Sequence, residues 1–229
     1  MSDARPTDSD APRSIPAPRA AETLHLLMRL RARGVNDKNV LRAFEAVPRE
    51  FFAAPAHRDL AQRDVALPLG CGQSLGAPSD LALALAALDL TKEHHVLDVG
   101  TGSGYAAAII SHLAAKVISI ERFRTLAIEA RRRLDACGID NVEVAQGDAL
   151  THLPGNGQFA RVFIDFAVAE PPPAIVKRLA EGAICVFARP ADPMCHIVRA
   201  DALAGGDWRE ELIGLTRVGP PIAGISRHL

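Results

Sequence analysis

The sequence predicts an α/β protein: a mostly parallel sheet with helices on both faces, preceded by an N-terminal helical extension. Three observations carry this expectation. From residue 94 onward, short apolar runs alternate with stretches of helical periodicity. The first of these runs ends in three alternating glycines directly before a helix, and residues 21–47 place their apolar side chains at helical spacing. Strands separated by helices of this length form right-handed β-α-β units, whose parallel strands are buried on both faces.

The elements follow in order. Residues 1–18 are rich in Pro, Ser, Asp and Ala and offer too little apolar surface to repay the entropy of ordering, which predicts a disordered tail. Leu24, Leu27, Met28 and Leu30 recur at helical spacing, with Gly34 as a stop. A second helix, capped by Asn36 or Asp37, runs through Val40, Leu41, Phe44 and Val47 and ends before Pro48. Residues 49–79 mix Pro, Gly and polar residues and read as a long irregular segment, a kind that is usually functional or disordered. After Asp80 the run LALALAALDL alternates superficially, but its Ala and Leu content without β-branching predicts a helix. Then come the strand HHVLDVG, a helix over 105–113, the strand KVISIE, a helix over 125–137, and the strands VEVAQGD and RVFIDFA. A helix over 174–179 and the strand AICVFAR follow, and WREELIGLTRV supplies one or two final strands before a turn at Gly219, Pro220 and Pro221. The expected organisation is a tail over 1–18, helices and a loop over 19–79, and a ligand-binding α/β domain over 80–229.

With 229 residues, 48% of them hydrophobic, the chain can bury one sizeable core without disulfide or metal staples. A net charge of -1 leaves no surplus for phosphate contacts, and Arg131 to Arg133 read as a solvated helix face, so nucleic acid is excluded as a main partner. Cys71, Cys137, Cys185 and Cys195 lie far apart without a Cys-x-x-Cys pair, which predicts no metal site, no disulfide framework and a reducing, cytoplasmic setting. The N-terminus has no apolar signal region, and no segment reaches the roughly 20 apolar residues of a spanning helix, so no membrane role is expected.

The strongest local signal is Val96-Leu97-Asp98-Val99-Gly100-Thr101-Gly102-Ser103-Gly104. Glycines let the backbone turn sharply and approach a ligand at the carboxyl edge of the sheet, where open α/β folds bind. A nucleotide site is the direct inference. Gly102-x-Gly104-x-x-Ala107 also fits a loose dinucleotide fingerprint, so a nicotinamide-dependent oxidoreductase is a competing reading. Glu121 would suit either, because a carboxylate is a bidentate acceptor for a vicinal diol. What separates the two is the order of acids: Asp98 before the first glycine, Glu121 at the end of the next strand, and Asp148 at the end of the third.

This series resembles the class I S-adenosylmethionine-dependent methyltransferases. The resemblance implies a Rossmann-like methyltransferase fold with S-adenosylmethionine as cofactor. Asp98, Gly100, Thr101, Gly102, Ser103 and Gly104 would shape the pocket around its methionine part, Glu121 would accept the ribose hydroxyls, and Asp148 would sit by adenine.

Upstream stand Val47-Pro48-Arg49-Glu50-Phe51-Phe52 and Leu67-Pro68-Leu69-Gly70-Cys71-Gly72-Gln73-Ser74-Leu75-Gly76-Ala77-Pro78, followed by VLDVGTGSGY. Over about residues 36–190 these motifs resemble the protein-L-isoaspartate O-methyltransferase family, whose members repair aged proteins by methylating the carboxylate of L-isoaspartyl residues. The resemblance implies a protein or peptide carboxylate as partner and a substrate loop of Gln73, Ser74, Leu75, Gly76, Ala77 and Pro78. A carboxylate, with an unperturbed pKa of about 4, attacks without a general base, so no catalytic triad or metal cluster is required. Alignment carries the catalysis. Arg49 and Glu50 read as an ion pair bracing the loop.

Two positions depart from the family pattern. Ser74 matches the family's threonine, but Gly76 stands where a serine hydroxyl helps hold the acceptor carboxylate. Ser79 is the candidate replacement hydroxyl. In Ile164-Asp165-Phe166-Ala167-Val168-Ala169 the family has a small neutral run, and an ionised Asp165 would repel an acidic acceptor. The alternative is therefore a divergent member that methylates another acceptor or is catalytically weak.

Overall fold

The computed structural model describes residues 20–221 and 224–226, so the tail expected over 1–18 lies outside the described residues. Two helices open the chain, α1 (Ala20–Ala32) and α2 (Lys38–Ala46). Asp37 caps α2, its Oδ1 accepting the backbone N–H groups of Asn39 at 2.7 Å and Val40 at 3.1 Å. On α1 the buried face carries Leu26 and Leu30, while Leu24 and Met28 of the expected stripe are exposed; Leu26 and Leu30 join Val40, Leu41 and Phe44 in one buried cluster.

The segment expected to be irregular holds short structure: α3 (Arg49–Phe52), a 3-10 stretch over Pro55–Leu60, and a hairpin of β1 (Leu67–Pro68) against β2 (Ser74–Leu75). The next helix, α4 (Pro78–Ala87), starts before Asp80 because Pro78 occupies its first turn, where a missing N–H costs nothing.

The main body then alternates β3 (His95–Val99), α5 (Tyr105–Ser111), β4 (Lys116–Glu121), α6 (Arg124–Ala136), β5 (Val142–Gln146), β6 (Phe159–Ala167), α7 (Pro173–Val176) and β7 (Leu179–Arg189). It closes with β8 (Cys195–Ala202) and β9 (Trp208–Thr216). The strand order is β5-β4-β3-β6-β7-β8-β9, parallel from β5 to β7 and antiparallel at β8 and β9.

Two expectations are corrected. The helix placed at 174–179 is a single turn, because Leu179 already pairs with Phe159 in the sheet. The strand β8 was not expected. Ile197 and Val198 face opposite sides of the sheet and are both buried, so β8 lacks the apolar–polar alternation by which half-buried strands are recognised.

Side chains on β3 alternate between the two faces: Val96 joins the cluster under α2, α4 and α5, while Leu97 and Val99 join the cluster with Leu153 and Ile175. From β3 the chain winds outward to β4 and β5, then returns to the other side of β3 as β6. This reversal makes the carboxyl ends of β3 and β6 the topological switch point, where open α/β sheets bind ligands. Among the described residues, no helix is long and apolar enough to cross a membrane.

Candidate active site

Parallel pairing sets Val99 opposite both Ile120 and Ile164, and Glu121 opposite Gln146, so the loops that follow β3, β4, β5 and β6 emerge along one edge. The glycine turn is tied to β4 by Gly100 and Thr101, whose N–H groups donate to the Ile120 carbonyl at 2.9 and 3.2 Å. Gly100 has φ +100° and backs onto the Asp165 side chain, 3.5 Å from where a Cβ would stand. Gly104 has φ +90°, and a Cβ there would come within 3.3 Å of the Ala130 Cβ on α6. Gly104 therefore allows close helix packing, and it stands behind the ligand edge, not on it.

Three acids crowd this edge. Asp98 is fully buried; its Oδ2 accepts the Ser119 hydroxyl at 2.6 Å, while its Oδ1 has no partner. Burial pushes its pKa up to about 7, opposed by the Ser119 hydrogen bond and assisted by the nearby Glu121 charge. Glu121 accepts the Gly102 N–H at Oε2 and the Phe123 N–H at Oε1, both at 2.9 Å. Burial raises its pKa, against those backbone hydrogen bonds. Asp165 is raised to about 8, first by burial and then by Asp98 and Glu121. Asp148 sits beyond β5, with Oδ1 accepting the Leu150 N–H at 3.0 Å and Oδ2 the Gly224 N–H at 2.6 Å.

Two clefts open here. The first lies under the β1–β2 hairpin and α4, and its polar lining residues are Ser74, Asp80, Thr101, Ser103, Tyr105, Asp165 and Thr216. The second runs along the ends of β4 and β5, between Glu121, Arg122 and Asp148 on one side and Phe166, Pro220 and Pro221 on the other. The clefts share Ser74, Gly102 and Asp165. The C-terminal chain follows the same edge: Ala167 donates its N–H to the Gly219 carbonyl at 2.8 Å, and Ser226 pairs with Phe123.

The structure brings most of the sequence-derived candidates to this place. Ser74 and Gln73 border the second cleft, Ser74, Leu75, Gly76 and Ala77 the first, and Thr101 and Ser103 line the first. Gly100, Gly102, Glu121 and Asp148 line the second. Asp98 lies beneath the turn and braces it through a Thr101–Ser119–Asp98 hydrogen-bond chain. Pro78 is buried as the first residue of α4.

Ser79 is a correction. It is buried, and both its N–H and its hydroxyl donate to Asp64, at 3.0 and 2.7 Å, so its hydroxyl is turned away from the clefts. The supposed Arg49–Glu50 pair is a second. Arg49 braces the loop through backbone carbonyls, donating to Ala61, Arg63, Val65, Leu75 and Gly76 at 2.7–3.4 Å. Glu50 instead accepts from Gln62 at 2.9 Å. The planar guanidinium suits this task because it presents five donors in a fixed fork. Asp80 and the C-terminal Pro220 and Pro221 also join the cleft walls without having been singled out, because only the fold brings them there.

Comparison with known proteins places these features in context. The family model described as protein-L-isoaspartate(D-aspartate) O-methyltransferase matches residues 21–197. The chain is 41% identical over 209 residues to a protein-L-isoaspartate O-methyltransferase of Rhodopseudomonas palustris (strain BisA53), covering 91% of this chain and 97% of that protein. It is 41% identical over 223 residues to the protein of the same name from Azorhizobium caulinodans, covering 97% of this chain and all, 100%, of the relative. In fold it is similar to a solved Plasmodium falciparum structure described as a putative protein-L-isoaspartate O-methyltransferase in complex with S-adenosyl-L-homocysteine. The TM-score is 0.74 at 20% identity, over 86% of this chain and 96% of that one.

Proposed function

The chain belongs to the protein-L-isoaspartate(D-aspartate) O-methyltransferase family, and from that premise we propose that it transfers a methyl group from S-adenosylmethionine to the carboxylate of isoaspartyl residues in proteins or peptides. The observation that carries this reading is the junction of the two clefts at Ser74, Gly102 and Asp165, which lets a cofactor and an acceptor meet at one point. In this reading residues 80–229 form the cofactor domain, and residues 19–79 supply helices and the loop that covers the acceptor.

The second cleft suits the cofactor chemically. Its wall mixes Val99, Ile120, Phe123, Ala149 and Leu150 with three acidic residues, Glu121, Asp148 and Asp165. Glu121 accepts the backbone N–H groups of Gly102 and Phe123 and a third from Arg122, which hold the carboxylate still where it faces the second cleft as an acceptor for the ribose diol. Asp148 stands beside the space for adenine, and Gly100 and Gly102 border the methionine part, with Thr101 and Ser103 reaching the junction from the first cleft. The unpartnered Asp98 Oδ1 and the surrounding acids make this edge tolerant of positive charge. When bound, S-adenosylmethionine supplies an electrophilic methyl on a cationic sulfur.

The protein's task is then to seat an already nucleophilic carboxylate in line with that methyl and to exclude water. Arg49 fixes the hairpin from behind by holding the Leu75 and Gly76 carbonyls, so Ser74 and Gly76 form a firm wall. The four cysteines are free, which accords with a cytoplasmic site of action. A second reading, methylation of another acceptor, is favoured by Asp165, which would draw a cationic or hydroxylic acceptor if ionised. Calorimetric binding of S-adenosylmethionine and S-adenosylhomocysteine, followed by labelled methyl transfer to an isoaspartyl peptide beside its aspartyl twin, tests both. Binding with selective transfer is expected; binding without transfer would move the acceptor to the second reading.

A further inference from the structure

The unused group in this site is Asp165. Carboxyl methylation requires the attacking oxygen, the methyl carbon and the sulfur to lie in line, so the reacting atoms must meet where the two clefts join. Of the three residues at that junction, Gly102 has no side chain, Ser74 sits on the exposed rim, and Asp165 is the one carboxyl. Asp165 lies in the register shift of β6 between Ile164 and Ala167, directly after Phe163 and Ile164, which line the first cleft with it. Its backbone and Cβ press against Gly100, which fixes its place at the end of the strand. Among the described residues its side chain has no hydrogen-bond or ion-pair partner.

The groups that face it are mostly acidic. Asp98 on β3 and Glu121 on β4 both act on it, and Asp80 on α4 lines the same cleft, paired with Arg33 at 3.3 Å. Arg122 lines the second cleft and acts on Glu121. No Lys, Arg or His lines the first cleft among the described residues. An anionic acceptor entering there needs donors, and a carboxyl has an O–H donor only while it keeps its proton. Asp165 is partly exposed in the cleft wall, and desolvation there, with the charges of Asp98 and Glu121, raises its pKa to about 8, so the protonated form is favoured at neutral pH.

We propose that Asp165 is a specificity-determining residue of the methyl transfer, meeting the acceptor as a neutral acid whose O–H donates to one oxygen of the acceptor carboxylate. This rests on the carboxyl-methylation reading above. The other carboxylate oxygen attacks the methyl carbon, the carbon–sulfur bond breaks with its electron pair left on sulfur, and the products are a neutral ester and a neutral thioether. The Asp165 proton is not transferred. Because the acceptor loses charge as it reacts, this hydrogen bond holds the ground state at least as well as the transition state. Its effect therefore falls on peptide binding. Once ionised, Asp165 becomes a fourth negative group beside Asp98, Glu121 and Asp80, and it repels the acceptor.

The test is a profile of kcat and KM from pH 6 to 9.5, using an isoaspartyl peptide without Lys, His, Cys or Tyr and with a blocked N-terminus. S-adenosylhomocysteine formation is the readout, since the ester product is labile in base, and binding of S-adenosylhomocysteine at pH 7 and 9 checks the cofactor site. For the wild type, kcat/KM should fall through about pH 8, mainly through KM. Asp165→Asn keeps a donor that does not titrate, so its profile should be flat, with a KM within about ten-fold of wild type at pH 7. Asp165→Ala should raise KM about ten- to a hundred-fold at pH 7 and be equally flat. A wild-type profile flat to pH 9.5, an Asp165→Ala variant with wild-type KM, or an Asp165→Asn variant that keeps the alkaline fall would overturn the proposal while leaving carboxyl methylation standing. Cofactor binding with no transfer to the peptide at any pH would instead overturn the carboxyl-methylation reading, and this assignment with it.

Discussion

Glu121 reaches back across the sheet edge to hold Gly102, its Oε2 accepting the Gly102 N–H at 2.9 Å. One carboxylate thus fixes the glycine turn and faces the cleft assigned to the ribose. Glu121→Ala removes both functions, so the dissociation constant for S-adenosylhomocysteine should rise well beyond ten-fold, since hydrogen bonds to charged groups contribute about 1.5–3 kcal/mol each. Calorimetry checks it, and an unchanged constant would remove Glu121 from the cofactor site.

Arg49 gathers carbonyls from residues 61–76 into one buried knot. Lysine offers three donors on a compact ammonium, so Arg49→Lys leaves some of these carbonyls without partners in a buried place. The variant should lose on the order of 3 kcal/mol of stability and show a raised KM for the peptide, because the hairpin wall loosens. Urea denaturation and peptide kinetics read the two effects separately.

How far the sequence revealed these relationships depends on what each one leaves behind in the chain. The strands β3, β4 and β6 are buried on both faces and so stand out as continuous apolar runs, and the glycine turn marks the ligand edge directly. Arg49 is different. Its partners are backbone carbonyls, which every residue has, so no side-chain pattern announces them. Ser79 was misread because Pro78 starts α4, and the first helical turn then swings the hydroxyl onto Asp64. Asp165 was visible as an acid at the sheet edge, but its protonation depends on burial and on Asp98 and Glu121, which only the folded chain brings beside it.

Asp98 gives the fold a pH dependence of its own. Its folded-state pKa of about 7 lies above the unfolded value near 4, so the folded state holds the extra proton. The stability it contributes is fully present below about pH 4 and is lost as pH rises through 7. Asp98→Asn keeps an oxygen for the Ser119 hydroxyl without the charge. Its stability relative to wild type should therefore increase between pH 5 and 8, by about 1 kcal/mol or more. Parallel denaturation curves at the two pH values check the sign, and a constant difference would place the Asp98 pKa in the ordinary range.

Gly76 and Asp165 line the same cleft, and this couples their substitutions. A Cβ at Gly76 would meet nothing within 4 Å and the backbone there is not left-handed, so Gly76→Ser fits without strain. The new hydroxyl would offer the acceptor carboxylate a donor. In the wild type Asp165 already supplies one, so the gain in peptide kcat/KM at pH 7 should stay under about three-fold. In an Asp165→Ala background the same serine replaces a lost donor and should recover about ten-fold, the scale of one hydrogen bond to a charged group. The double-mutant cycle therefore has a coupling on the order of 1 kcal/mol, as expected for two residues serving one partner. If the two effects simply add, Gly76 and Asp165 do not address the same carboxylate, and the donor that seats the acceptor must be sought at Ser74 or Thr101 instead.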